Sequence, residues 1–340
     1  MRSRSPRDPR SSVTPTPPRP RARLLPAALA ALAILAAVTA AAADPLAVAV
    51  AVKGSVLVTS AQGGKPQKAA LGRTLERGDR IQVGVGGGMT LFFSDGNVIE
   101  LGEKSTLAVG GRVPASGAGP GRNGVKGEVF ARVSRFVSSD SRKTGMMAIA
   151  PLRGAESGPQ PMLLDPRRTS VRETRPAFRW RTVAGATRYQ LTVSGDQGDL
   201  WSRETPSTSL DYPADAPALT AGGDYRCAVR AMSDTGPLVA DDETFSVLPD
   251  EDAKQVTADL AGIEQATRAT ATPAAMYLTG SYLVGRGLYA EAAARFTELC
   301  RITPDAPGPH EALGKVYRMI GLTDEAAGEF QRALELSQAQ

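Results

Sequence analysis

Residues 48–58 read VAVAVKGSVLV, residues 71–83 read LGRTLERGDRIQV, residues 89–102 read MTLFFSDGNVIELG, and residues 105–109 read STLAV. Each piece is a short apolar or alternating run that is broken by Gly, Asp-Gly or Asn. Such runs are typical of strands joined by tight turns. The stretch therefore predicts an all-β fold for the first folded part of the chain.

Three turn signals support this interpretation. Asp95-Gly96 separates Met89–Phe93 from Val98–Leu101, and an Asp-Gly pair adopts the positive φ that a two-residue hairpin turn requires. Gly78-Asp79 is expected to close a second turn. Gly54 allows the first strand to bend or to approach a neighbour closely.

The pieces KGSVLV, LERGDRIQV, LFFSDGNVIELGEKSTLAV and GEVFARV (127–133) follow one another in this order and resemble the FecR-type periplasmic domain. The LRGA segment at 152–155 is similar to the arginine-glycine step that often ends such a domain, so the resemblance covers roughly residues 48–158. It implies short strands around a Gly-Asp turn and an Asp-Gly hairpin. Residues 110–124 (GGRVPASGAGPGRNG) depart from it as a Gly/Pro-rich insertion, which predicts a surface loop.

Alternation returns after a Pro-rich segment, ESGPQPMLLDPRR at 156–168, which we expect to be a linker. Apolar side chains then alternate with polar or small ones in FRW (178–180), YQLTV (189–193) and YRCAVRA (225–231). Strict period-2 patterning over several short runs predicts a β-sandwich with one face of each sheet in the core.

The order PAFRW, GATRYQLTV, LTAGGDYRCAVRA and ETFSVL resembles a fibronectin type III-like domain over about residues 163–249. This resemblance implies that Trp180 is the buried indole of an early strand. It also implies that Tyr225 forms a tyrosine corner, in which the hydroxyl holds a connecting loop. No second cysteine lies near Trp180 in the sequence, which favours the fibronectin-like branch over an antibody-type domain.

After Pro249 the pattern becomes helical, and Val256, Leu260 and Ile263 fall on one helix face. A 34-residue repeat follows, in which a glycine, an alanine and a phenylalanine recur: Gly280, Ala292 and Phe296, then Gly314, Ala326 and Phe330. This is the tetratricopeptide pattern, with small residues where two helices cross. Because two units are fewer than a stable stack needs, we expect helix 251–268 to act as a cap or the repeats to lean on another surface.

The start of the chain predicts an export signal. Residues 1–43 carry a charge of +6, whereas the whole chain carries +5, so the remainder is close to neutral. A near-neutral body excludes a nucleic-acid partner, because phosphate neutralisation dominates such binding. The apolar run Leu24–Val38 and the small residues Ala41–Ala43 predict cleavage before Asp44. An uncleaved membrane anchor is the alternative.

Few residues could carry catalysis or bind a metal. His310 is the single histidine, and its repeat position predicts core packing rather than a catalytic relay. We interpret Cys227 and Cys300 as buried small hydrophobes, since one histidine and two distant cysteines do not make a zinc site of nitrogen and sulfur ligands. The acidic runs Asp241–Glu243 and Asp196–Asp199 read better as solvated turns than as a carboxylate-only site. The sequence thus predicts no catalytic residue, no metal site and no cofactor.

Together these observations predict a multi-domain β plus α protein. We place a signal peptide at 1–43, a FecR-like all-β domain at 44–158, a fibronectin type III-like β-sandwich at 159–249, and C-terminal α-helical repeat hairpins of the tetratricopeptide kind at 250–340.

The expected function is that of an exported, non-catalytic binding or scaffold protein of the bacterial cell envelope or periplasm. The partner is expected to be an envelope protein or peptide, with a glycan or peptidoglycan as the alternative, and membrane contact only through an uncleaved leader. The first helix of each repeat lines the concave side. This geometry nominates five partner-binding residues: Tyr277, Ser281, Glu311, Lys315 and Arg318.

Two other functions stay open. The FecR resemblance implies an envelope signalling component that passes a message to a cytoplasmic sigma factor. Regulators of that kind carry a folded cytoplasmic segment, and the first 23 residues here are too short and too polar to fold. We therefore expect a scaffold first and a signalling component second. A secreted hydrolase is the remaining alternative.

Overall fold

A computed structural model of the chain describes residues 45–94, 97–110, 127–138, 163–268 and 272–339. The sheets, whose strands are mostly antiparallel, come first along the chain, and five helices follow them, which confirms the predicted β plus α class. The predicted leader, the Asp95-Gly96 turn, residues 111–124 of the insertion and the LRGA segment lie outside the described residues.

The first β region contains two four-stranded antiparallel sheets, in the orders β4-β1-β6-β7 and β3-β2-β5-β8. Their strands are β1 (Ala47–Lys53), β2 (Val56–Thr59), β3 (Gln67–Lys68), β4 (Thr74–Leu75), β5 (Arg80–Val83), β6 (Gly88–Phe93), β7 (Val98–Leu101) and β8 (Thr106–Ala108). Strands β6 and β7 pair with Phe92 opposite Val98, as expected for the two arms of the predicted hairpin.

Strand β1 is buried on both faces. Ala47 and Ala49 belong to the core between the two sheets. Val48 and Val50 point the other way, because successive side chains of a strand alternate, and they belong to a second core that includes the helices. This double burial explains why the VAVAV run lacks the polar residues of a half-exposed strand.

The predicted turns take their expected shapes. Gly78 has a φ of 91°, and the buried carboxylate of Asp79 accepts hydrogen bonds from the backbone N–H groups of Ala61 and Glu76, both at 3.0 Å. At Gly54, which has a φ of 63°, a Cβ atom would lie 2.8 Å from the carbonyl oxygen of Gly86. This glycine therefore permits the close approach that the sequence indicated.

Residues 127–138 differ from the expectation. The sequence predicts an all-β domain over residues 44–158, but the GEVFARV residues begin the helix α1 (Gly127–Ser138). Val129, Val133 and Phe136 are spaced as i, i+4 and i+7 and are all buried. In a strand, residues an odd number of positions apart point to opposite faces, so only a helix gathers these three on one face.

The second β region is a sandwich of a five-stranded sheet, β10-β16-β15-β12-β13, and a three-stranded sheet, β14-β11-β9. Its strands are β9 (Leu163–Asp165), β10 (Thr169–Val171), β11 (Phe178–Trp180), β12 (Arg188–Gly195), β13 (Gly198–Thr205), β14 (Ser209–Leu210), β15 (Asp224–Ser233) and β16 (Gly236–Val247). Trp180 is buried, as expected. The Tyr225 hydroxyl accepts a hydrogen bond from the Thr220 backbone N–H at 2.7 Å, which confirms the expected tyrosine corner.

The linker prediction for 156–168 is wrong over its last six residues. Leu163 is fully buried in the sandwich core, and the side chain of Arg167 is buried as well. The Pro-rich composition suggested an unstructured connector, but strand β9 pairs with β11 through Trp180 and Leu163. The described residues form one compact unit.

The helical region contains α2 (Asp250–Thr267), α3 (Thr272–Gly285), α4 (Tyr289–Ile302), α5 (Pro307–Met319) and α6 (Thr323–Gln338). We call α3 and α4 the first hairpin, and α5 and α6 the second hairpin. A Cβ atom on Gly280 would lie 2.7 Å from the Phe296 ring, and one on Gly314 would lie 2.8 Å from the Phe330 ring. The 34-residue repeat therefore marks the same close helix crossing twice, as predicted.

Candidate functional site: the groove of the helical hairpins

The groove of the first hairpin is filled by α1 of the same chain. The ring of Phe136 stacks on that of Phe296, with centroids 5.9 Å apart. The guanidinium of Arg132 donates a hydrogen bond to the Gly285 carbonyl at the end of α3, at 3.0 Å. The Lys315 ammonium of the second hairpin lies 6.0 Å from the centre of the Phe136 ring, within the range of a cation–π contact.

The opposite side of α1 packs on the first β region. Phe130 contacts Phe92 of β6, with ring centroids 5.6 Å apart. Val48 and Val50 of β1 belong to the same core. Helix α1 is thus a middle layer between a β-sheet and the helical groove, and a single core runs through all three layers.

The nominated residues of the first hairpin lie inside this core. Tyr277 and Ser281 are buried, and the ring of Tyr277 lies 5.8 Å from that of Phe296. Burial, and in second place the charge of Glu311, raises the pKa of Tyr277 far above its usual range. Ser281 is fully enclosed, whereas Tyr277 is buried but contributes to the lining of the cleft described below.

The nominated residues of the second hairpin differ in burial: Lys315 is buried, Glu311 is partly exposed and Arg318 is exposed. Glu311 and Lys315 form an ion pair at 2.8 Å, with 40% of the Glu311 side chain and 8% of the Lys315 side chain exposed. Arg318 is exposed, and its guanidinium carbon lies 5.8 Å from the centre of the Phe330 ring. The structure therefore brings Tyr277, Glu311 and Lys315 to one cleft and leaves Arg318 at the far end of α5.

A cleft of about 710 Å³ opens beside this ion pair. It lies between the β3–β4 connection, α1, α3 and the second hairpin, and its lining includes Leu71, Arg73, Phe136, Tyr277, Glu311, Lys315, Phe330 and Leu334. Leu334 is 46% exposed. The cleft therefore combines apolar side chains with two cations and one carboxylate. We call it the hairpin cleft.

The contact between the hairpins and the sandwich is polar. The Thr169 hydroxyl accepts hydrogen bonds from the backbone N–H groups of Tyr289 and Ala290, at 2.8 and 3.3 Å, so a sandwich residue caps the start of α4. Arg172 makes a two-pronged ion pair with Glu291, at 2.9 and 2.7 Å. This geometry fixes the sheet edge on the first turn of the helix.

The expectation of solvated turns fails at Asp241–Glu243. These residues lie on strand β16, and Glu243 is buried and paired with both Arg167 and Arg168. The Arg167 guanidinium also donates to the Ile320 carbonyl at 2.8 Å. Asp241 and Glu243 therefore hold the sandwich against the second hairpin through Arg167, whereas Asp242 pairs with Arg226 on the exposed side of the strand. In contrast, Asp196 does lie in the β12–β13 turn.

His310 also differs from its expected packing in an apolar core. It is partly exposed, and its Nδ1 atom lies 2.6 Å from an Oε atom of Glu329 on α6. Cys300, at the end of α4, lies next to this pair. We call these residues the Cys300–His310–Glu329 cluster. Neither Cys300 nor Cys227 is in a disulfide, and only Cys227 is fully buried.

Comparisons with known proteins identify no family. No protein-family profile matches the chain, and no curated protein does. Parts of solved structures are similar. A cell surface anchoring domain is 26% identical, with 19% of this chain and 86% of that chain covered and a TM-score of 0.19. A structure titled FN3tt is 21% identical (23% of this chain and 85% of that chain covered, TM-score 0.19), and CopC from Methylosinus trichosporium OB3b is 20% identical (26% of this chain and 93% of that chain covered, TM-score 0.20). Likenesses at these TM-scores carry no functional inference. In the described part of the chain, no helix is long and apolar enough to cross a membrane.

Proposed function

We propose that this chain is an exported, non-catalytic binding protein of the cell envelope that docks a segment of a partner protein in the hairpin cleft. One observation carries the proposal. The groove of the first hairpin holds a helix through aromatic stacking of Phe136 on Phe296, and the second hairpin, built on the same repeat, presents an open cleft with a half-exposed leucine. The envelope location rests on the predicted leader.

The cleft chemistry suggests the character of the bound segment. Leu71, Phe330 and Leu334 provide apolar contact, while Arg73 and Lys315 carry positive charge that Glu311 balances only in part. A peptide with an apolar side chain next to a carboxylate complements this surface. We therefore propose a protein segment of this kind rather than a glycan.

The proposal of a non-catalytic role is supported by the state of Cys300. Burial, and in second place the charge of Glu329, raises the pKa of this thiol to about 12. A nucleophilic cysteine needs the opposite shift, since the thiolate is the reactive form. The described residues that line the hairpin cleft include neither a cysteine nor a histidine.

Site-specific photo-cross-linking in the intact envelope tests the proposed function. A photoreactive amino acid at position 334 is compared with one at position 238, since both native leucines are 46% exposed and Leu238 lies on the sandwich. We expect one defined adduct from position 334 and none from position 238. The trapped protein is then purified, and its affinity for the full chain is measured by calorimetry.

In that titration, Leu334→Asp is expected to weaken binding at least about tenfold, because the new carboxylate replaces an apolar contact and repels the carboxylate of the segment, at a cost of more than about 1.4 kcal/mol. Leu238→Asp is expected to leave the affinity unchanged. Equal adducts at both positions, or equal affinities for both variants, would contradict docking in the hairpin cleft.

A further inference from the structure

The Cys300–His310–Glu329 cluster brings together three side chains that commonly bind metals. One ligand atom from each residue, namely the sulfur, a ring nitrogen and a carboxylate oxygen, lies within 4.8 Å of the other two. The three residues come from α4, α5 and α6. A single ion bound here would tie both hairpins together.

The spacing is close to what a tetrahedral ion requires. Zinc binds sulfur at about 2.3 Å and nitrogen or oxygen at about 2.0–2.1 Å, so two of its ligand atoms lie about 3.3–3.8 Å apart. The Nδ1 atom of His310 and the carboxylate of Glu329 are at hydrogen-bond distance, 2.6 Å. Replacing the shared proton with an ion would separate them by less than about 1 Å, which a side-chain rotation can supply.

The imidazole is also only half satisfied by hydrogen bonds. The Nε2 atom of His310 is buried, and no described group forms a hydrogen bond with it. A buried ring nitrogen without a partner is unusual and needs an explanation. An imidazole binds one ion through one nitrogen, so an ion held between Nδ1 and Glu329 would leave the proton on Nε2.

We propose that this cluster is a binding site for a zinc-type divalent metal ion. A thiolate and an imidazole favour ions of this kind over magnesium or calcium, and a single carboxylate does not change that preference. The Cys300 thiol must release its proton when the ion binds, so binding is expected to weaken as the pH falls. Three protein ligands leave the fourth position to water, which can enter because all three residues are partly exposed. The ion would strengthen the second hairpin, and none of its ligands lines the hairpin cleft.

Metal titration of the full chain, purified without an affinity tag and kept reduced, tests this proposal. With Zn²⁺, calorimetry is expected to show one ion bound per chain and a higher melting temperature. With Co²⁺ as the probe, we expect a sulfur-to-cobalt absorption band. Cys300→Ser should abolish that band and weaken zinc binding at least about 100-fold, since loss of even an outer-sphere partner of a ligand costs about 10–100-fold.

Cys227→Ala is the matched control, because Cys227 is the other free cysteine and is buried in the sandwich. It is expected to leave the stoichiometry and the absorption band unchanged. Glu329→Gln provides a second test on the surface of α6 if Cys300→Ser fails to fold, and it should also weaken binding. The proposal would be overturned if the chain bound no stoichiometric zinc. It would also be overturned if zinc binding and the cobalt absorption band survived in both Cys300→Ser and Glu329→Gln.

Discussion

The two hairpins are built on one sequence template and have different surroundings. In each, a glycine of the first helix receives a phenylalanine ring of the second: Gly280 and Phe296, then Gly314 and Phe330. Phe296 is fully buried, whereas Phe330 is partly exposed at the hairpin cleft. The difference lies outside the repeat, because only the first hairpin has its groove filled by α1.

This comparison explains how two repeat units suffice. A tetratricopeptide stack normally needs three or more units, since each one buries its apolar face on a neighbour. Here α2 covers one end, with Val256 and Ile263 in the shared core and the Tyr282 hydroxyl hydrogen-bonded to Asp259 at 2.7 Å. Helix α1 covers the groove. Both sequence-based expectations for the missing neighbour are therefore met.

The largest predicted effect is the loss of the ring that fills the first groove. Phe136→Ala removes a buried aromatic side chain and is expected to lower the free energy of unfolding by about 3–5 kcal/mol. Phe330→Ala is the control at the open hairpin and should cost less than about 2 kcal/mol, since it removes less buried area. Urea denaturation followed by circular dichroism measures both. Equal losses would mean that the two grooves are equivalent.

A smaller effect is predicted at the two helix crossings. Gly280→Ala introduces a Cβ atom 2.7 Å from the enclosed Phe296 ring, and we expect a loss of about 1–3 kcal/mol from overpacking. Gly314→Ala makes the same contact with Phe330, which can move toward solvent. A gain of helix propensity of about 1 kcal/mol should then leave stability nearly unchanged. Melting temperatures that fall equally in both variants would contradict this asymmetry.

The smallest effect concerns the cap that the sandwich provides to the first hairpin. Thr169→Val removes the hydroxyl that accepts from Tyr289 and Ala290, and we expect a loss of about 1 kcal/mol. At the start of α6, the equivalent helix of the second hairpin, Leu322 offers no side-chain cap. Thr257→Val, on the exposed face of α2, serves as the control. If Thr257→Val lowers the free energy of unfolding as much as Thr169→Val does, a specific capping role for Thr169 is ruled out.

Local patterns predicted local contacts well. The 34-residue repeat located both glycine–phenylalanine crossings, and the Tyr225 position predicted a hydroxyl bonded to the preceding loop. The short strands and the Gly78-Asp79 turn followed from period-2 patterning and turn chemistry. Each of these features depends on residues that are close in sequence or that repeat at a fixed spacing.

Long-range features were missed for a physical reason. Helix α1 shows the i, i+4, i+7 spacing of Val129, Val133 and Phe136, which indicates a helix, but the family resemblance predicts an all-β domain. The position of α1 in the groove is not predictable from local patterns, because Phe136 and Phe296 are far apart in the chain. The sequence does not predict the Cys300–His310–Glu329 cluster for the same reason, since its three residues come from three helices with no motif spacing.

Hydrogen exchange of the full chain tests most directly whether α1 fills the groove of the first hairpin. If it does, the amides of α1 open together with those of α3, and both sets exchange slowly at matching rates. Phe296→Ala should then accelerate exchange in α1 and α3 by the same factor. Fast exchange in α1 that is independent of Phe296, beside slow exchange in α3, would contradict the account.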